Sequence, residues 1–448
     1  MEGKQKTGRQ AVVVIHGIGE QFPMTTLRAF AKGVLGDSEK TGTSAPSFYS
    51  KPDQFSSSFE LRCLATPGNV RPGTDFYEFY WQHLMPASNW NSIFGWAWFL
   101  MRRHPETVPQ RLRLYWLLLW LLFVFLISAT AASLLPLLGL AGAPHPDGFS
   151  LKLPLGAALL WGFVQLSVLS VVGDAAIYLL PAPPNVEARH RIRAAGLELL
   201  NHLHESGRYN RIVVVGHSLG SIIGLDLLNF AWQRFSERHG YPACPSRTAI
   251  QEAERVAAEI DLLLQSRKAI PKDLRDNWSQ KVLAVREELR ANGHPWLVSD
   301  LITLGSPLAH ADLLLAKGRE DLLRHMDQRE IPRNPPVLDP SKIFSIPVDY
   351  QIADGSQRTT FNPHHAAWTA CVTWTNLYFP HRWLFYGDLV GGPLSPLFGP
   401  GIQDVPVATN RRNGWLSHTF YWTPDVHRHQ ADSAALREIR KVLSIHLQ

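Results

Sequence analysis

The segment Gly216-His217-Ser218-Leu219-Gly220 holds a serine hydroxyl between two glycines. A β-branched run at 211–215 (RIVVV) precedes it and an apolar stretch follows it. A chain of this length with about 7% glycine meets G-x-S-x-G by chance with a probability on the order of 0.1. The setting therefore carries the argument, not the bare pattern. A serine on a tight strand-to-helix turn projects its hydroxyl as a nucleophile for acyl transfer, and small glycines let the backbone fold closely around it. The helix that starts there aims its first amides at the negative charge that develops on a tetrahedral intermediate.

A second element complements the first. His16-Gly17-Ile18-Gly19 directly follows the β-branched run 11–15 (AVVVI). An oxyanion hole needs two fixed backbone N–H groups. Leu219, the residue after the nucleophile, is expected to supply one; Ile18, with Gly17 as its neighbour, is expected to supply the other. His16 is a rival general base, but its place at the foot of the loop favours a bracing role.

VVVIHGIGEQ and RIVVVGHSLGS resemble the lipase and esterase branch of the α/β-hydrolase superfamily. The resemblance covers 10–21 and roughly 185 to the C-terminus, with insertions. It implies a chain order of nucleophile, acid, base, with the acid after the strand that follows LITLGSP and the histidine after the last strand. Asp388 stands in a glycine-bearing loop after the strand expected at 370–374 and is the favoured acid; Asp354 and Asp404 are the alternatives. His418 is the favoured base, with His427 and His429 later in the chain. In these roles Ser218 attacks, His418 relays the proton, and Asp388 orients the imidazole.

Elements must position these residues. Buried strands are expected at 11–15, 211–215, 301–304 and 370–374, with others at 59–65 and 402–408. Helices are expected at 185–205, after Ser218, and at 433–447. Strands alternating with helices imply an α/β fold with a mostly parallel sheet flanked by helices. The segment 236–293 reads as a helical insertion, either packed structure or a lid, with helical spacing over Ile250, Ala253, Val256, Ile260 and Leu263 and a second helix at 280–291.

The chain divides further. Residues 1–100 and 183–448 read as two parts of one hydrolase domain, interrupted at 101–182 by a transmembrane hairpin. No Asp, Glu, Lys or Arg occurs from 114 to 146, and 115–138 is long enough for a span of about 20 residues. A second span is expected at 153–180. Arg102, Arg103, Arg111 and Arg113 flank one side, and Arg189, Arg191 and Arg193 the other, so the positive-inside rule puts the catalytic domain and both termini in the cytoplasm. The aromatic stretch 76–100 suits an interfacial belt or an aromatic core equally.

Composition narrows the class. Charged residues make up only 18% and the formal net charge is +6, which suits a basic face against anionic lipid. No basic stripe with interleaved aromatics points to nucleic acid. Cys63, Cys244 and Cys371 lack disulfide or CxxC spacing and read as buried thiols in a reducing compartment. His364-His365 and His427-x-His429 lack further ligands for a metal site, and no cofactor motif is present. The expectation is a membrane-anchored serine hydrolase of acyl esters, lipid esters by its address. Its rival is a catalytically silent membrane scaffold on the same fold.

Overall fold

The computed structural model describes residues 8–19, 22–36, 47–86, 90–134, 175, 177–180, 182–236, 246–351, 355–407, 417–422 and 433–445, apart from 57, 111 and 383–385. In chain order its strands are β1 (Arg9–Ile15), β2 (Tyr49–Pro52), β3 (Arg62–Ala65), β4 (Thr74–Phe79), β5 (Tyr209–His217), β6 (Val298–Leu304), β7 (Ser345–Gln351), β8 (Gln357–Pro363), β9 (Thr373–Tyr378) and β10 (Gln403–Pro406). Eight of them form one sheet in the order β10-β9-β6-β5-β1-β4-β3-β2, and β7 pairs with β8 separately. The run from β10 to β4 is parallel throughout; β3 and β2 continue it antiparallel.

The helices are α1 (Thr25–Leu35), α2 (Trp90–Met101), α3 (Arg113–Leu134), α4 (Pro183–Glu205), α5 (Leu219–Ser236), α6 (Thr248–Gln265), α7 (Lys272–Ala291), α8 (Arg319–Asp327) and α9 (Ala434–Leu443). Strand alternation sorts them into two layers, because successive side chains point to opposite faces. Val12 and Val14 of β1 join a core with Phe30 and Val34 of α1 and Leu436 and Ile439 of α9. Ala11, Val13 and Ile15 join the other core, with residues of α4, α5, α6 and α7. Both faces are covered, so β1 and β5 read as unbroken apolar runs rather than alternating ones.

Strand order reverses between β1 and β5. From β1 the next parallel neighbour is β4 on one side, and from β5 it is β6 on the other. Such a switch point leaves a crevice beyond the carboxyl ends of the strands. The His16 loop leaves β1 there, and Ser218 leaves β5 there.

Several expectations shift. The strand expected at 370–374 begins at Thr373, because pairing with Asp300 of β6 sets its start; Trp368–Ala370 is a 3-10 turn instead. The strand expected at 402–408 is reduced to Gln403–Pro406. The aromatic stretch 76–100 divides: Phe76, Tyr77, Phe79 and Trp81 are core residues, whereas Trp98 on α2 is about half exposed. The described part of the insertion, 246–293, is packed structure. Ile250, Ala253 and Ile260 of α6 join Trp278, Val282 and Val285 of α7 in the core, and the buried Arg286 donates to the carbonyls of Cys371 (2.8 Å) and Ser299 (2.5 Å). Cys63 and Cys371 are buried free thiols, each pushed up to about 12, chiefly by burial; Cys244 lies outside the described residues.

Of the expected hairpin, α3 covers the first span as far as Leu134, while 135–174, with the connector and most of the second span, lie outside the described residues. Among residues described to their side chains, no helix is long and apolar enough to cross a membrane. Leu114, Leu117, Leu118, Leu121, Val124 and Phe125 form an exposed apolar stripe along α3 at helical spacing.

Candidate active site

Ser218 occupies a one-residue turn between β5 and α5, with φ of 51°. That left-handed conformation is unusual for a residue with a Cβ and marks stored backbone strain. Backbone crowding dictates the flanking glycines. A Cβ on Gly216 would lie 2.6 Å from the Gly220 oxygen, and one on Gly220 would lie 2.3 Å from the Ile15 oxygen. The turn is further tied by the Ser218 N–H to the Leu304 carbonyl (3.0 Å) and by the Ser221 hydroxyl to the Ser218 carbonyl (2.6 Å).

Leu219 is the first residue of α5, so its N–H has no acceptor within the helix. The loop after β1 lies directly against Ser218: a Cβ on Gly17 would sit 2.9 Å from the Ser218 Cβ. Gly17, Ile18, Ser218, Leu219 and His418 all line one cavity of about 650 Å³. His16 is fully buried. Its Nδ1–H donates to the Gly17 carbonyl (2.8 Å), its Nε2 accepts from the Trp81 amide (3.4 Å), and its ring stacks on Trp81. Burial holds it down at about 4, so it stays neutral and braces the loop.

Asp388, in the loop after β9, is completely buried. The amides of Val390 and Gly391 donate to its Oδ1, each at 2.9 Å, and the Tyr421 hydroxyl donates to its Oδ2 at 2.7 Å. His418, in the 3-10 turn Ser417–Thr419 after β10, points Nδ1–H at both carboxylate oxygens from 3.0 Å. Burial alone would raise the Asp388 carboxyl, but the His418 bond and charge, with the Gly391 and Tyr421 donors, hold it at about 2. The carboxylate thus favours the tautomer with the proton on Nδ1, which leaves Nε2 of His418 unprotonated. Among the described residues no hydrogen bond joins Ser218 to His418; such contacts often tighten only when substrate is bound.

The other sequence candidates lie elsewhere. Asp404 is used in structure: it accepts from the Asn376 side chain (2.7 Å) and from the amides of Leu394 (2.9 Å) and Ser395 (2.8 Å). Asp354, His427 and His429 lie outside the described residues. His364 and His365 direct ring nitrogens to the carbonyls of Val337 and Arg329. Among the described residues no group of three or more His, Cys, Asp or Glu could hold a metal ion.

Four participants were not read from sequence. His217 Nε2–H donates to the His418 carbonyl (2.9 Å) and is held neutral, down at about 3, by burial and by the nearby His418. Tyr421 follows His418 by one helical turn's spacing, a signal too common to single it out. Gly305 (φ 56°) and Gly391 leave room for the carboxylate: a Cβ on either would lie within 2.7 Å of Asp388 Oδ2. The only sequence sign of Gly305 was its place at the end of LITLG.

No family model, curated protein or solved structure matches this chain.

Proposed function

We propose that this chain is a membrane-anchored serine hydrolase that cleaves acyl esters through an acyl-enzyme, with lipid esters as the natural class. The observation that carries this reading is the buried Asp388–His418 pair sharing one cavity with a serine on a strained strand-to-helix turn. The likeness of VVVIHGIGEQ and RIVVVGHSLGS to lipases and esterases of the α/β-hydrolase superfamily supports it, as does the order Ser218, Asp388, His418.

The chemistry follows from the geometry. Ser218 Oγ attacks the acyl carbon while His418 Nε2 takes its proton. The oxyanion is met by the Leu219 amide at the positive end of α5 and by the Ile18 amide. Collapse breaks the ester bond, and the imidazolium gives its proton to the departing alcohol. Water, deprotonated by the same imidazole, then releases the acid and restores Ser218. Asp388 stays ionised throughout and stabilises the imidazolium.

The membrane part rests on the sequence, the uncharged run from 114 to 144 and its arginine flanks, of which α3 covers the stretch as far as Leu134. The exposed leucine and phenylalanine stripe of α3 is an aggregation liability in water and ordinary in lipid. The arginine-rich flanks put the catalytic domain on the cytoplasmic side.

A fluorophosphonate probe applied to membranes holding the full chain tests the enzyme reading. Wild-type protein becomes labelled and Ser218→Ala does not. Equal labelling of both, or none of either, overturns it.

A further inference from the structure

The cavity over Ser218 is not built from sheet loops alone. Trp96 of α2 and Leu112 just before α3 line one part of it, and Ala175 and Leu179 line another. These last two fall inside the end of the span expected at 153–180, which is instead packed on the folded body, with Ile177 and Tyr178 buried. Two stretches more than sixty residues apart in sequence therefore meet at the nucleophile. Both are pinned to the catalytic body. Arg103 donates to the carbonyls of Leu313 (3.1 Å) and Ala316 (2.7 Å), beside the cavity residue Leu314. On the other side the Tyr178 hydroxyl donates to Asp226 (2.8 Å) on α5, the helix that Leu219 begins, and Arg193 pairs with the same carboxylate at 2.6 Å.

The chemistry of the wall is one-sided. Among its described residues there is no Asp, Glu, Lys or Arg. A charged headgroup would lose its hydration there without a partner. The cavity, about 650 Å³, lies within the size range of pockets that enclose a small-molecule ligand. The exposed stripe of α3 starts at Leu114, two residues after the cavity residue Leu112.

We propose that this cavity is an acyl-chain site for a long-chain ester taken from the bilayer, with Trp96, Leu112, Ala175 and Leu179 in its walls. The substrate class is a long-chain ester whose polar alcohol stays at the mouth. The proposal rests on the serine-hydrolase reading for turnover, but not for binding.

Two measurements on the full-length protein in detergent test it. In the first, kcat/KM is compared for p-nitrophenyl butyrate and palmitate in wild type, Leu179→Trp, Leu112→Trp and the control Leu262→Trp, an exposed leucine on α6. The palmitate-to-butyrate ratio should fall at least tenfold in the two cavity variants and hold in the control. In the second, Ser218→Ala protein is photolabelled with a diazirine-bearing C16 fatty acid. Peptides holding Ile18, Trp96 and Leu314 should be cross-linked, with competition by palmitate and weaker labelling when Leu179→Trp is added. An unchanged ratio in both tryptophan variants, or cross-links confined to the α3 stripe, overturns the acyl site while leaving ester hydrolysis standing. Competed cross-links in a protein that turns over no ester would retain the acyl site and remove the hydrolase reading. Circular dichroism verifies folding, and either tryptophan variant suffices if the other fails.

Discussion

The ring of His217, one residue before Ser218, donates its Nε2–H to the backbone carbonyl of His418 across 2.9 Å. This part-buried bond, with ring contacts of His217 to His418, Tyr421 and Trp422, joins β5 to the 417–422 segment. Burial keeps His217 neutral down to about 3, so the contact persists across the working pH range. Replacing His217 with Ala should lower kcat roughly fivefold with little change in KM, the scale of a lost hydrogen bond of about 1 kcal/mol. His217→Gln, which restores an N–H donor, should recover part of that. Steady-state kinetics on p-nitrophenyl butyrate would read this, and a loss in KM alone would count against a positioning role.

Asp388→Asn should leave the fold intact and lower kcat by about 10⁴, since an amide can hold the wrong tautomer of His418. Measured turnover within tenfold of wild type would remove Asp388 from the reaction.

Tyr421 acts on the same carboxylate from the opposite side. Tyr421→Phe deletes a donor to a buried charge and should destabilise the protein by about 2 kcal/mol. The sign with pH follows from Asp388, whose carboxyl is held near 2 in the fold against an ordinary 3.8. Stabilisation from its donors is complete above the ordinary value and fades as pH falls from about 4 towards 2. Urea melts should therefore show the Tyr421→Phe deficit at pH 6 and a smaller one near pH 3; a deficit that is constant with pH would contradict it.

Gly305→Ala tests the space beside the pair. Its Cβ would lie 2.7 Å from Asp388 Oδ2 and 3.0 Å from His418 Nδ1, at a φ of 56°. Gly207→Ala, at a φ of 63° with nothing within 4 Å, carries the backbone strain alone, about 1–2 kcal/mol. Activity should survive in Gly207→Ala and fall by at least a hundredfold in Gly305→Ala. Equal activity in both would show that the crowding is relieved without moving the pair.

Glu78 gives a separate pH signature. It lies buried one residue before the end of β4, its Oε2 accepts the amide of Met24 just before α1 (2.5 Å), and its Oε1 has no hydrogen-bond partner. Burial pushes it up to about 7, against its two amide donors Met24 and Leu27. The folded protein keeps this proton up to about pH 7, whereas the unfolded chain releases it near 4.5. Stability should therefore drop as pH rises through that window, by about 3 kcal/mol from this group. Glu78→Gln should flatten that part of the curve between pH 5 and 8 in thermal melts. An identical slope in the variant would place the titration elsewhere.

Local sequence determined much of the geometry around Ser218. G-x-S-x-G after RIVVV is a short-range pattern, and its two glycines answer crowding within the turn and against β1. The same holds for the loop at His16 and for the parallel β1 and β5, whose β-branched runs announce burial on both faces. Only tertiary structure could decide the rest. Asp388 and His418 are chosen over Asp404 by which loop reaches the β1–β5 crevice, and that depends on strand order across β6, β9 and β10. His217, Tyr421 and Gly305 act through contacts up to 201 residues apart, which no local pattern encodes. The strand edges near 373 and 403 are set by pairing register rather than by the residues' own preferences. Whether Trp96 and Leu179 share a wall with the nucleophile is likewise a matter of packing, since side chains so far apart in the chain meet only where the folded backbone carries them.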